Sequence, residues 1–481
     1  MLSPQLIKIL RTLDSTETEA FSDFIYSPYF NKSKTIQKFW EAIKKYSPSY
    51  DAVGLKKETL YKEVYDGKEY KYATMKNLIF TFTGLLETFM ELRSHERNKF
   101  QMEYNTLVYS TVRYLPELFK KKFKEMMKDY ERIDEGLDLH YMYKYLLIRV
   151  FSSFSALESR RVKDLFEQGD SLIYFFLIHL FQVHYNIKVF YDAENYAQKN
   201  NLVEKLLNIM DLERIMLEIK TNSPKDFQIV DLYYHLYLCQ SEPENDKYYF
   251  EYKKNLLSAR KILHPLDFKS LTNGMIHILN ERAYRGIHGT QKETGELFKL
   301  LIDLDVGFTN TENNISFLKF SLSIKNFLEA VDIIYAGQFY EKFKNRLIEK
   351  DKENMHNFYN AYLNYAKGNF DRSLEFSSKI KLEVDNFKLS VKGLQLKCYF
   401  ELNETEAFYY SLDAFKHLVS RNDFINKERK QYTKNFLKAI AQLFEYKTSG
   451  KGTIDNVNIL MQDKMLNKEW MLEKINELKK N

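Results

Sequence analysis

The chain has 481 residues, 44% of them hydrophobic, with 72 basic and 66 acidic side chains and a net charge of +6. That balance excludes a disordered chain, and the mild positive charge argues against a polybasic nucleic-acid binder. Two cysteines, Cys239 and Cys398, lie far apart in sequence and supply neither a disulfide framework nor a metal-ligand spacing.

Glycine (15) and proline (7) are both scarce, and the 216 residues after Pro265 contain no proline. Proline breaks helix interiors and glycine weakens helices and strands alike, so their joint scarcity predicts long helices. The length predicts two or three domains or one extended array. The 36 Tyr and 37 Phe could form a stacking surface for bases or sugars, but their spacing favours gap-filling between helices. The N-terminus lacks the charged-then-apolar order of a signal peptide, and a cytoplasmic location is expected.

The first block, residues 1–105, is read as a helical N-terminal domain. Ile36, Phe39, Trp40, Ile43 and Tyr46 keep helical spacing, as do Met75, Leu78, Ile79, Phe82, Leu85, Leu86, Phe89 and Met90. Turn-like breaks are expected at Ser27-Pro28-Tyr29-Phe30-Asn31 and Tyr65-Asp66-Gly67-Lys68. The middle region, 106–310, reads as apolar-rich helices. Its breaks are expected near 134–136, Glu167-Gln168-Gly169-Asp170, 221–224, 241–244 and Gly286-Ile287-His288-Gly289. Its longest apolar run, Leu172 to Val183, is shorter than the roughly 20 residues a membrane span needs and reads as a buried helix.

Block three, 311–447, carries the most informative pattern. Ile324, Phe327, Leu328, Val331, Ile334 and Tyr335 form one helical face that is expected to stop at Gly337. Phe358, Ala361, Tyr362, Tyr365 and Ala366 form another that stops at Gly368, and Val391, Leu394, Cys398, Tyr399 and Leu402 a third that stops at Asn403. The markers are 31 and 35 residues apart. Helix pairs at about 34 residues are the signature of tetratricopeptide-like repeats. A tight turn between such helices needs a left-handed residue, which glycine supplies without strain and asparagine next best. Residues 453–481 read as two short capping helices, with Trp470, Met471, Ile475 and Leu478 on one apolar face.

Three segments carry a resemblance: Ser27-Pro28-Tyr29-Phe30-Asn31, Tyr362 to Phe370, and Glu469-Trp470-Met471-Leu472-Glu473-Lys474. With them the chain resembles, over nearly its whole length, a group of bacterial tetratricopeptide-like helical proteins of unknown function. The resemblance implies a fold and no activity. Ser373 and Phe408 stand where a small alanine is usual, so the repeats are degenerate.

Catalytic motifs are not recognisable. There is no Gly-x-x-x-x-Gly-Lys-Ser/Thr loop, no His-Glu-x-x-His and no Gly-x-Ser-x-Gly elbow, and Gly450-Lys451-Gly452 has no strand before it. His179 and His184, five residues apart, fall on different helix faces and make poor zinc partners. The basic run Lys120-Lys121-Lys122-Phe123-Lys124 is flanked by Glu117, Glu125 and Asp129 and reads as a solvated helix face. Residues 60–90 could be a helix-turn-helix, but the turn is long and the second helix is spent on apolar residues.

The sequence therefore predicts an all-α protein: an α-solenoid of stacked helical hairpins with a helical N-terminal region, and no metal or cofactor. The function expected is a non-catalytic protein–protein interaction scaffold. The alternative is a nucleic-acid- or ribosome-associated regulator, and an enzyme ranks third. The candidate groove for a protein or peptide partner is the polar face of the paired helices. It comprises Asn357, Asn360 and Asn364, then Lys388, Lys392 and Gln395, whose amides and ammonium groups suit an extended peptide.

Overall fold

The computed structural model describes residues 2, 4–51, 55–130, 137–155, 162–194, 201–303, 314–330, 332–381, 385–422, 425, 427–451 and 453–480. The chain is 82% helical, and the described residues form 24 α-helices and no strand. They fall into two compact units, residues 1–132 with 147–161, and residues 133–146 with 162–481.

Unit 1 holds α1 (Pro4–Leu10), α2 (Ser15–Tyr26), α3 (Lys34–Lys44), α4 (Lys57–Val64), α5 (Tyr72–Arg97), α6 (Lys99–Val112) and α7 (Pro116–Tyr130). A capping box starts α2: Glu17 N–H donates to Asp14 Oδ1 at 2.7 Å, and the Glu17 carboxylate accepts from Asp14 N–H. The two expected breaks fall between α2 and α3 and between α4 and α5. Helix α5 buries Met75, Leu78, Phe82, Leu86 and Phe89, a stripe at steps of three and four. Phe82 meets Phe39 edge-on at 5.1 Å and Phe21 meets Trp40 edge-on at 4.9 Å. The buried indole is satisfied, since Trp40 Nε1–H donates to Ser22 Oγ at 2.9 Å. The second half of α8 (Leu137–Ser155) also belongs here, and its Phe154 stacks on Phe119 at 3.9 Å.

Unit 2 continues with α9 (Val162–Glu194), α10 (Leu202–Ile209), α11 (Leu212–Asn222), α12 (Pro224–Ser241), α13 (Asp246–Ala259), α14 (Pro265–Tyr284) and α15 (Thr290–Asp303). Then come α16 (Phe317–Glu329), α17 (Ile333–Phe343), α18 (Glu349–Ala366), α19 (Phe370–Ser378), α20 (Asp385–Leu402), α21 (Thr405–Arg421) and α22 (Lys427–Ser449), and last α23 (Ile454–Leu460) and α24 (Lys468–Lys480). Neighbours in sequence pack as pairs: α16 on α17, α18 on α19, α20 on α21. Helix α16 also packs on α18, α19 on α20, and α21 on α22.

Three turns in unit 2 share one chemistry. Gly286, Gly368 and Asn403 all have positive φ, at +73°, +77° and +61°. In each case the following N–H reaches back five residues to close the helix: Ile287 to the Arg282 carbonyl at 3.0 Å, Asn369 to Asn364 at 2.8 Å, Glu404 to Tyr399 at 3.3 Å. This is the Schellman closure, which needs a left-handed residue. Two other expected breaks do not occur. Gly337 lies inside α17; α16 before it is capped at Ala330, and the Asp332 carboxylate caps Tyr335 N–H at 3.2 Å to start α17. Ile334 is consequently exposed and not on a core face, and Val331 lies outside the described residues. Gly169 likewise sits within α9, which runs through 167–170 unbroken. One glycine costs a helix only about 1 kcal/mol, less than the burial of the opposite face returns. The expected break at 134–136 lies outside the described residues.

Candidate interaction surfaces

The six residues expected to line a groove are largely occupied locally. Asn357 is buried, so it does not lie on an outward polar face as expected. Asn360 Nδ2 donates to the His356 carbonyl at 2.9 Å, and Asn364 Nδ2 to the Asn360 carbonyl at 2.8 Å. Such bonds to the carbonyl four residues back keep both amides on their own helix. Lys392 Nζ donates to Gln395 Oε1 at 3.0 Å, and Gln395 Nε2 donates to Ser377 Oγ of α19 at 3.2 Å. Lys388 is half-buried. The α18 amides thus sit together, and the α20 pair turns toward α19.

Another face of α18 and α20 is covered by α24. Trp470, Met471 and Ile475 of α24 are buried. The Trp470 indole N–H donates to Tyr365 Oη at 2.8 Å, and its ring meets Phe400 edge-on at 5.2 Å. Lys397 Nζ lies 5.4 Å from the indole centroid and donates to Asn467 Oδ1 at 3.2 Å. Lys474 pairs with Glu401 at 2.9 Å. The same segment reaches α13–α15. Glu469 accepts from Gly289 N–H and lies 3.1 Å from His288 Nδ1, and Lys464 pairs with Glu244. Gly286 is in van der Waals reach of Lys468, so close that a Cβ there would come within 2.8 Å of it. This covering was not legible locally, because Trp470 and Tyr365 are 105 residues apart.

An exposed apolar face of unit 2 lies on α9. Phe166 is 70% exposed, and Leu165, Leu172, Ile173, Phe176 and Val183 are between 42% and 49% exposed. The opposite side, with Tyr174, Leu177, Ile178 and Phe181, is buried and packs on α12. The run Leu172–Val183, expected to be buried throughout, is therefore two-faced. Among the described residues, only Lys163–Val189 is long and apolar enough to cross a membrane, and a third of its most apolar 18 residues are buried against protein. The signal that marks the exposed face was present in the sequence, since Leu165, Gly169, Leu172, Phe176, His179 and Val183 recur at alternating steps of four and three.

Among the described residues, the titratable groups with shifted protonation do not line one cleft. Burial pushes the Cys239 and Cys398 thiols up to about 12, which keeps them protonated and unreactive. Burial lowers Lys397 below the ordinary ammonium range. Burial beside Lys144 lowers His140 to about 4. Burial alone would lower His235, but the Asp231 carboxylate at 3.1 Å and Glu251 at 3.2 Å hold it above its ordinary value. No group of three or more His, Cys, Asp or Glu among the described residues could hold a metal ion. A wide-open hollow of about 500 Å³ in unit 1, lined by Met90, Glu91, Ser94, His95, Asn98 and Gln101, is shallow for a small-molecule site. The lysines of 120–124 decorate α7: Lys122 pairs with Glu125 at 3.1 Å, while Lys121 and Lys124 are exposed.

No family model matches the chain, and no curated protein or solved structure is significantly similar to it.

Proposed function

We propose that the protein is a non-catalytic helical scaffold that recognises another protein, with α16–α22 stacked as degenerate tetratricopeptide-like hairpins. The hairpin reading is supported by the packing of consecutive helix pairs and by the matching turns at Gly368 and Asn403. The observation that carries the interaction reading is the exposed apolar face of α9. Contiguous exposed apolar patches rimmed by polar residues mark association surfaces, and here six large side chains share one helix face. The α18 and α20 polar face is a weaker candidate, because its amides are already bonded within the fold. The test is co-purification from the native cell, comparing the natural chain with Ile173→Asp/Phe176→Asp, each shown folded by circular dichroism. An unchanged set of co-purifying proteins, with no change in self-association, would remove α9 from consideration as an interaction surface.

A further inference from the structure

The exposed face of α9 has the pattern of a helix seam. Leu165, Gly169, Leu172, Phe176, His179 and Val183 follow the alternating spacing by which two helices interlock knobs into holes. Phe166 and Ile173, both exposed, border it on one side, where the third position, Leu180, is buried within its own chain, and Gln168, Phe175 and Gln182 border it on the other. The charged side chains of this stretch, Lys163, Asp164, Glu167, Asp170 and Lys188, all fall outside the seam and its two borders. No like-charge repulsion therefore opposes pairing with an identical face.

The order of the residues selects an orientation. Placed antiparallel about an axis at residue 174, Leu165 opposes Val183 of the second helix, Leu172 opposes Phe176, and Gly169 opposes His179. Each of the three layers then pairs a larger side chain with a smaller one. The Gly169 position is open, with nothing within 4 Å of where a Cβ would stand, so it can receive an imidazole. Ile173 lies beside the axis and meets its own copy. In a parallel pairing Gly169 would face Gly169 and leave a void, while Phe176 would crowd Phe176.

The area is sufficient. Two phenylalanines and four smaller aliphatic side chains, roughly half exposed, supply on the order of 500 Å² per chain, or about 1,000 Å² for the pair. That is the size a specific interface must reach, about 1,000 Å². We propose that α9 of one chain packs antiparallel against α9 of a second copy through this seam. The proposal rests on the reading of α9 as an interaction surface and names its occupant.

The experiment uses the full chain. Sedimentation equilibrium across roughly 1–200 µM should give twice the 57.7 kDa chain mass, and Phe176→Asp should weaken association at least tenfold without loss of helical signal. Ile173→Lys serves as a second variant should the first fold poorly. Register is read by oxidative cross-linking. The double variant Leu165→Cys/Val183→Cys should form a covalent dimer. Leu165→Cys alone should not, because the two copies of that position would be about 27 Å apart at 1.5 Å per residue. The native cysteines are buried and stay silent.

A monomer at all concentrations, or a dimer indifferent to both substitutions, overturns the proposal. A monomer that loses a native protein partner on Phe176→Asp overturns the second copy as occupant while leaving the interaction reading intact. A monomer that instead co-sediments with phosphatidylglycerol vesicles in a Phe176-dependent way overturns both in favour of a lipid surface.

Discussion

Two glycines in unit 2 share a backbone conformation and differ in what surrounds them, so substitution at each separates strain from steric contact. Gly368 has φ +77°, and a Cβ there would meet nothing within 4 Å. Its replacement therefore costs backbone strain only. For a β-branched residue at positive φ that is about 1–2 kcal/mol or more, so Gly368→Val should lower the apparent Tm by a few degrees. Gly368→Asn should cost less, because Asn403 already holds φ +61° in the same closure. Gly286 has φ +73°, and a Cβ there would stand 2.8 Å from Lys468 Cβ and 2.9 Å from the Met465 carbonyl oxygen. Gly286→Ala must therefore add displacement of the segment leading into α24 to the same strain, a total of about 2–4 kcal/mol against about 1 for Gly368→Ala. The assay is thermal and urea unfolding followed at 222 nm on the four variants side by side. Equal loss for Val and Asn at 368 would refute the turn assignment. A Gly286→Ala variant no weaker than Gly368→Ala would refute the docking of the C-terminal segment on that turn.

Other expectations follow from buried charge. Burial holds the Lys397 ammonium below its ordinary range, and its contacts with Trp470 and Asn467 supply no carboxylate, so Lys397→Met should stabilise the fold by about 1 kcal/mol or more, read as a raised Tm; a lowered Tm would show that the bond to Asn467 matters more than the desolvation. His140, depressed to about 4 by burial with Lys144 and Lys225 nearby and Asp226 opposing, is neutral in both states at pH 7. Below about 6.5 the unfolded chain takes up a proton that the folded chain refuses until about 4, so stability falls across that window by up to about 3 kcal/mol. His140→Gln should flatten the fall in urea midpoint between pH 7 and pH 4.5, and an unchanged slope would remove His140 as its source. His235 runs the opposite way: raised by Asp231 and Glu251, it stabilises the fold fully below about 6.5, and that contribution is lost as pH rises through its folded value. His235→Gln should therefore cost more at pH 5.5 than at pH 8, measured by the same midpoints.

Helix identity was readable wherever one apolar stripe repeated, as in α5, whose Met75, Leu78, Phe82, Leu86 and Phe89 are all buried. Turn placement was readable where a glycine or asparagine ended such a stripe, as at Gly368 and Asn403. It failed at Gly337 and Gly169, because glycine is permitted inside a helix as well as after one, and the true stop before α17 is marked by an N-capping aspartate. Periodicity drew the polar face of α18 only in part, since Asn357 on it is buried. That the amides of α18 and α20 bond back to their own helix or across to α19 depends on side-chain rotamers that no spacing encodes. The double apolar character of α9 misled for a related reason, since a helix buried all round and one with a core face and a seam face share the same composition.

The ties of residues 464–469 to Glu244, His288 and Gly289 span about 180 to 220 positions of chain. In a simple repeat array each unit is finished by its neighbour and can fold as it emerges from the ribosome. Here α13 to α15 are completed only by residues made much later. At about 5–20 residues per second, the interval is roughly 10–40 s. During it, the surface later covered by the C-terminal segment faces solvent or a chaperone instead. A premature stop near residue 460 would make that interval permanent, leaving Glu244 without Lys464 and the faces of α18 and α20 without Trp470. The cell's quality control would then meet a chain that is nearly full length and exposed where its last helix should lie.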